Sequence, residues 1–176
     1  MKSNSSNYVF DLVSRYFILI LASINSLWIF YFAFTTLTIF PVYFIMGLFF
    51  ETVWFGELII TNGLAVEFIK ACIAGSAYFL LLILNLSTPK IPIRKRILMI
   101  FISFVSLLVL NVIRIVLLIF VFFYGFYFFD IAHEFFWYFM STIFVILIWF
   151  LQVWYFKIKE IPFYSDLKYL FKKARG

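Results

Sequence analysis

The chain has 176 residues and a mass of 21.0 kDa, 66% apolar and 12% charged, with a mean hydropathy of +1.12. Soluble domains carry about 25% charged and 45 to 50% apolar residues, so a water-exposed globular enzyme, a disordered chain and a fibrous repeat are excluded together. The formal charge of +6 gathers beside apolar runs, at 90–96 and in the C-terminal tail, which is a membrane-topology pattern and not a nucleic-acid surface.

The composition predicts an all-α, polytopic transmembrane helical bundle in one integral membrane domain, 1–176, with room for about five or six segments at roughly 20 residues each. The first apolar run extends from Tyr16 to Phe34. A Thr-rich break at Thr35, Thr36 and Thr38 separates it from a second, Ile39 to Phe55. Residues 56–71, with Glu57, Asn62, Gly63, Glu67 and Lys70, are too polar to cross lipid and read as an extramembrane or interfacial loop. A third run, Cys72 to Leu86, is closed by Ser87, Thr88, Pro89 and the basic cluster Lys90, Arg94, Lys95 and Arg96.

From Ile97 to Phe129 the chain is almost wholly apolar, and as one helix it would reach about 50 Å. The hydrocarbon core is about 30 Å thick, so the run must break, tilt steeply or fold back, with the least costly break where the charge sits, at Arg114, near the outer face. Ile115 to Ile131 would then lie in the outer leaflet or re-enter it as an interfacial or re-entrant segment. A second polar island, Asp130, His133 and Glu134, precedes the last run, Phe135 to Phe156, and the tail 157–176 is basic and expected to be cytoplasmic. This scheme puts two spans before the outer loop, which would leave the N-terminus outside with Lys2 and Arg15, against the usual bias. An additional half-span would reverse it.

Three scarce groups then share one depth: Cys72 at the outer end of the third span, Arg114 at the outer end of the fourth, and His133 just before the last. Each has a bland reading alone, as an apolar filler, a snorkelling or ion-paired helix end and an interfacial anchor. Together they suit cysteine nucleophilic catalysis. A thiol in apolar surroundings is inert unless a base or a positive charge stabilises its thiolate; His133 would serve as general base and acid, and Arg114 would stabilise the thiolate and the oxyanion. Asn111, three residues before Arg114 on the same helical face, would hold the guanidinium or make an interhelical hydrogen bond. Gly75, beside Ser76, would admit a close backbone or substrate helix. One cysteine and one histidine exclude an intramolecular disulfide and a Cys/His metal site; no metal and no cofactor is expected.

The blocks Cys72-Ile-Ala-Gly75-Ser76, Asn111-Val-Ile-Arg114 and Asp130-Ile-Ala-His133, in that order, resemble the exosortase/archaeosortase family, polytopic membrane enzymes proposed to be cysteine transpeptidases. The resemblance covers roughly residues 55–156, and the first two spans match only in hydrophobicity. Many relatives have Ser-Gly directly after the cysteine, whereas here Ile73 and Ala74 intervene. The resemblance implies Cys72, Arg114 and His133 as catalytic residues. It also implies secreted proteins as substrates, recognised by a C-terminal signal made of a short motif, a transmembrane helix and a basic cluster and cleaved on the outer side of the cytoplasmic membrane. The competing reading is a non-catalytic polytopic protein, a small transporter or assembly subunit, although a transporter would place its ionisable groups near the midplane with internal symmetry.

Overall fold

The computed structural model describes residues 2–124 and 140–174. The described chain is mostly helical, in the order α1 (Lys2–Gly47), β1 (Thr52–Phe55), β2 (Leu58–Thr61), β3 (Leu64–Glu67), α2 (Lys70–Ile73), α3 (Gly75–Leu86), α4 (Ile93–Tyr124), α5 (Ser141–Tyr155) and α6 (Tyr164–Ala174). Two helical stretches, Leu27–Gly47 within α1 and the whole of α4, are long and apolar enough to cross a membrane.

The expected break at Thr35 to Thr38 does not occur. Thr35 donates its hydroxyl to the Tyr31 carbonyl one turn back and Thr38 is fully buried, so both sit inside a continuous helix. The irregularity lies earlier, at Leu27, whose φ of +63° falls in the left-handed region that side chains with a Cβ rarely adopt. The two predicted N-terminal spans are therefore one apolar span, Leu27–Gly47, about 31 Å long at 1.5 Å per residue, preceded by a separate segment 2–26.

That earlier segment docks at the basic end of the molecule, which reverses the expected position of Arg15. The Arg15 guanidinium, only 3% exposed, donates to both carboxylate oxygens of Asp166 in α6 at 3.0 Å and to the Leu86 carbonyl at 2.9 Å. Tyr8 and Tyr16 also donate to Asp166, and the rings of Tyr8 and Tyr169 meet at 4.0 Å. Charges taken this far out of water hold a fold only when fully paired. Asp166→Asn breaks the pair at constant shape and is expected to cost about 3 to 5 kcal/mol, read as a lower thermal midpoint in detergent. Replacing both partners, Arg15→Met with Asp166→Leu, is expected to recover most of the loss.

Burial, and then its hydrogen bond to Asp166, push the Tyr8 phenol up. Because the folded-state value is the higher one, this contact stabilises below about pH 10 and is lost as pH rises further. Alkaline titration followed by tyrosinate absorbance should show α6 loosening only above that range.

Arg96 departs from a simple basic flank. It is 3% exposed and its Nη1 donates to the carbonyls of Asn85, Leu86 and Thr88 at 2.8, 3.1 and 2.9 Å, satisfying acceptors left over at the end of α3. Deeper in the bundle, Asn85 donates to Ser103 Oγ, Ser103 to Gln152 Oε1, and Gln152 Nε2 to the Met99 carbonyl. This chain ties α3, α4 and α5 where no water competes. Around it pack Tyr78, Leu81, Leu107, Val145 and Ile148, with Phe34 stacked on Tyr78 at 3.7 Å.

The all-α expectation needs one correction. Residues 52–67 form a three-stranded antiparallel meander, order β1-β2-β3, where a loop was expected. The cause is local. Asn62 and Gly63 have φ of +46° and +79°, the two left-handed positions of a type I′ hairpin turn. Gly56, at +61°, supplies the turn before it. Trp54, Ile59 and Val66 stand opposite one another in register, and Ile59 is fully buried in a core with Ile39, Val42, Met46, Val112, Ile115 and Ile119.

Candidate functional site

The meander delivers the chain to Cys72. Phe68 and Ile73, each 2% exposed, bury in the core just described and so anchor both sides of the segment that carries the half-buried thiol. The short α2 stops at Ile73 because Ala74 takes up left-handed angles, φ +59° and ψ +36°. The helix cannot continue its ladder through that residue, so the carbonyls of Ala71 and Cys72 become helix-end acceptors without intrahelical donors.

Those two carbonyls are taken by α4. Asn111, 2% exposed, donates from Nδ2 to the Cys72 carbonyl at 2.8 Å. Arg114, 6% exposed, reaches the Ala71 carbonyl from Nη2 at 3.4 Å and Ser141 Oγ from Nη1 at 2.8 Å. The three-residue spacing that puts Asn111 and Arg114 on one face thus serves the cysteine segment directly. Asn111 holds the Cys72 main chain and not the guanidinium, which corrects one of its two expected roles. Asn111→Ala leaves a buried carbonyl unpaired and is expected to cost about 1 to 3 kcal/mol, measured by thermal unfolding, with Cys72 alkylated faster by a maleimide as its segment loosens.

The expected break of the fourth run at Arg114 is also absent: α4 continues through it to Tyr124. A break would have brought the charge to water. Its partners on α2 and α5 remove the need. Arg114 nevertheless lies about 27 Å along the helix from Arg96 at 1.5 Å per residue, close to one hydrocarbon thickness, so its predicted separation from the basic cluster stands. The last turns of α4 run on beside the end of α1, where Phe120 meets Phe49 and Phe50, and Phe123 meets Phe50.

Cys72, Ser76, Arg114 and Ser141 face a single cavity of about 590 Å³, whose further wall is β3. That volume falls within the range of about 300 to 1,000 Å³ usual for ligand sites. Gly75 does not receive a backbone or a substrate helix: the space over it is filled by the ring of Tyr31, which a Cβ on Gly75 would meet at 2.7 Å. Lys70 Nζ lies 5.6 Å from the centre of the same ring. Gly75→Val should therefore push Tyr31 toward the cavity that it lines, lowering reactivity at Cys72 with a smaller effect on thermal stability. His133, with Asp130 and Glu134, lies outside the described residues.

Sequence reasoning missed three parts of the site. Ser141 carried a faint signal, as the first residue of a Ser-Thr pair in an otherwise apolar run. The β3 wall carried a clear one, the Asn62-Gly63 turn between two short apolar stretches. Tyr31 carried none, because an aromatic in an aromatic-rich helix is indistinguishable from its neighbours. Comparison with protein-family models, with curated proteins and with solved structures returns no match.

Proposed function

We propose that this protein is a membrane-embedded cysteine protease or transpeptidase of the exosortase type, which cleaves the C-terminal sorting signal of secreted proteins at the outer side of the cytoplasmic membrane. The observation that carries the reading is the shared cavity: two of the three groups such chemistry needs, Cys72 and Arg114, line it together, with the guanidinium held against the main chain beside the thiol.

The bilayer disposition that accompanies this reading has four crossings, Leu27–Gly47, 70–86, α4 and the segment ending at Tyr155, with residues 2–26 at the cytoplasmic surface as the fifth segment. An even number of crossings returns both chain ends to one side, in keeping with the contacts of Tyr8 and Arg15 to α6. Arg15 then joins the basic residues that favour the cytoplasm, and the cavity opens at the opposite end.

In the reaction, His133 takes the Cys72 proton, and the positive charge of Arg114 stabilises the resulting thiolate. The sulfur attacks the scissile carbonyl, a C–S bond forms, and the negative charge moves to the carbonyl oxygen, which Arg114 stabilises. The C–N bond then breaks as His133 returns the proton to the leaving amine, and the membrane helix of the signal departs. Water or an amine acceptor attacks the thioester and restores the thiol. The test is processing of a reporter, a secreted protein ending in a short motif, an apolar helix and a basic cluster from the same genome, co-expressed with wild type or with Cys72→Ala. Processing that survives the substitution would leave the non-catalytic reading.

A further inference from the structure

Resting on that reading of the cavity, we infer that the substrate's cleavage segment binds as an added β-strand, hydrogen-bonded to the free edge of β3 through the main chain of Ala65 and Glu67. Thr61 pairs with Leu64 across the Asn62-Gly63 turn, followed by Ile60 with Ala65, Ile59 with Val66 and Leu58 with Glu67.

In an antiparallel ladder, opposed residues alternate between those that exchange both main-chain bonds and those that exchange none. The residues flanking a two-residue hairpin turn are a bonded pair, and two pairs further on Val66 bonds Ile59. The Phe68 amide donates to the Glu57 carbonyl at 2.8 Å, which continues the same alternation. Leu64, Val66 and Phe68 therefore point their amide and carbonyl groups inward to β2. Ala65 and Glu67 point theirs the other way.

Among the described residues no strand pairs with that side, since β3 ends the sheet. Unpaired strand edges invite another chain, and proteins commonly cover or blunt them. The opposite edge strand, β1, packs beside α1 through Trp54 and Tyr43. The edge of β3 faces the cavity of Cys72 and Arg114, and its residues from Leu64 to Glu67 all line that cavity. Four residues separate Glu67 from Cys72, and the intervening segment is anchored at Phe68.

The occupant with matching chemistry is an extended peptide. Its main-chain donors and acceptors repeat every two residues, about 6.6 to 6.8 Å apart, which is the spacing of the free groups on Ala65 and Glu67. Strand addition gives affinity through the main chain and leaves alternate side chains for selectivity. It would also present a straight, accessible carbonyl to the thiol, which a helical segment cannot, because its carbonyls are already bonded within the helix. The sorting signal would therefore be read as strand at the motif and helix only beyond it.

The experiment uses the full chain in detergent and synthetic peptides that span the cleavage region of the co-expressed reporter, N-methylated at one position at a time. Strand addition predicts a period of two: methylation at alternate positions lowers kcat/KM about tenfold, roughly the loss of one main-chain hydrogen bond, and methylation between them has little effect. On the enzyme, Ala65→Pro deletes one outward amide without removing a bond to β2 and is expected to lower kcat/KM by a similar factor through KM. Alkylation of Cys72 by a maleimide at the wild-type rate would show that the variant has kept its fold. A smooth or position-independent response to methylation, with cleavage still dependent on Cys72, overturns strand addition and leaves the protease reading standing. Absence of Cys72-dependent cleavage by the wild type overturns both.

Discussion

Cys72→Ala is expected to abolish release of the C-terminal helix from the reporter, by about 10⁵-fold or more in rate, while the variant accumulates in the membrane at the wild-type level. The two halves of that expectation come from different observations. The thiol is half-buried at a cavity wall, and the backbone around it is held by groups other than the sulfur. The Cys72 amide donates to the Ile69 carbonyl at 2.8 Å and its carbonyl accepts from Asn111. Removing one sulfur atom from a wall that already borders open space adds little cavity, so the fold should be nearly unaffected. Chemistry that proceeds through a thioester has no substitute for the atom. The measurement is the fraction of reporter processed, normalised to enzyme in the membrane, together with mass spectrometry of wild type for the acyl-enzyme. Product mass then separates hydrolysis from transfer, since both pass through the same adduct.

The second large effect concerns Arg114. Arg114→Lys and Arg114→Gln are each expected to slow processing by about 10² to 10³-fold, the usual range for removing a charge-stabilising donor from an acyl-transfer site. Lysine fails despite its charge. The guanidinium reaches Ser141 on α5 with one nitrogen and Ala71 on the cysteine segment with the other, and an ammonium on a flexible stem cannot reproduce a planar fork spanning two elements. A purely structural arginine makes the opposite prediction. Removing one partner from a buried polar set should then lower stability, and activity should fall only in proportion to the protein lost. The two cases separate by measuring processing per folded molecule, and by the alkylation rate of Cys72 as a function of pH. Loss of a nearby positive charge moves that profile to higher pH, because less thiolate is present at any given pH. An unchanged profile with unchanged specific activity would reduce Arg114 to a bundle fastener. Ser141→Ala should act in the same direction by about tenfold, since it removes one hydrogen bond to a charged group.

How much of this was legible beforehand depends on the kind of interaction. The apolar stretch of α4 and the basic clusters at 90–96 and in the tail are properties of contiguous residues, so reading along the chain finds them. The shared location of Cys72 and Arg114 was also legible, because distance along a helix converts directly into depth. What failed to read were events that depend on partners elsewhere. The apolar run did not break at Arg114, since its donors meet groups 27 and 43 residues away in the chain. The N-terminal segment packs against the C-terminal helix and not at the far end of the bundle, because Arg15 pairs with Asp166 across 151 residues. The meander was a different kind of miss: its signal was local, but a stretch judged only on whether it could cross lipid was not judged on whether it could form a hairpin.

By itself, then, the sequence determined the apolar character, the basic end, the few groups able to carry chemistry and the turn chemistry of residues 56–67. These follow from transfer energies and backbone preferences that each residue brings with it. Only the tertiary structure decided that Asn111 binds the Cys72 carbonyl, that Tyr31 fills the space over Gly75 and that β3, the edge strand among the described residues, lies along the cysteine's cavity. A buried polar group takes whichever partner the packing of distant elements brings within about 3 Å, and no local propensity encodes that choice.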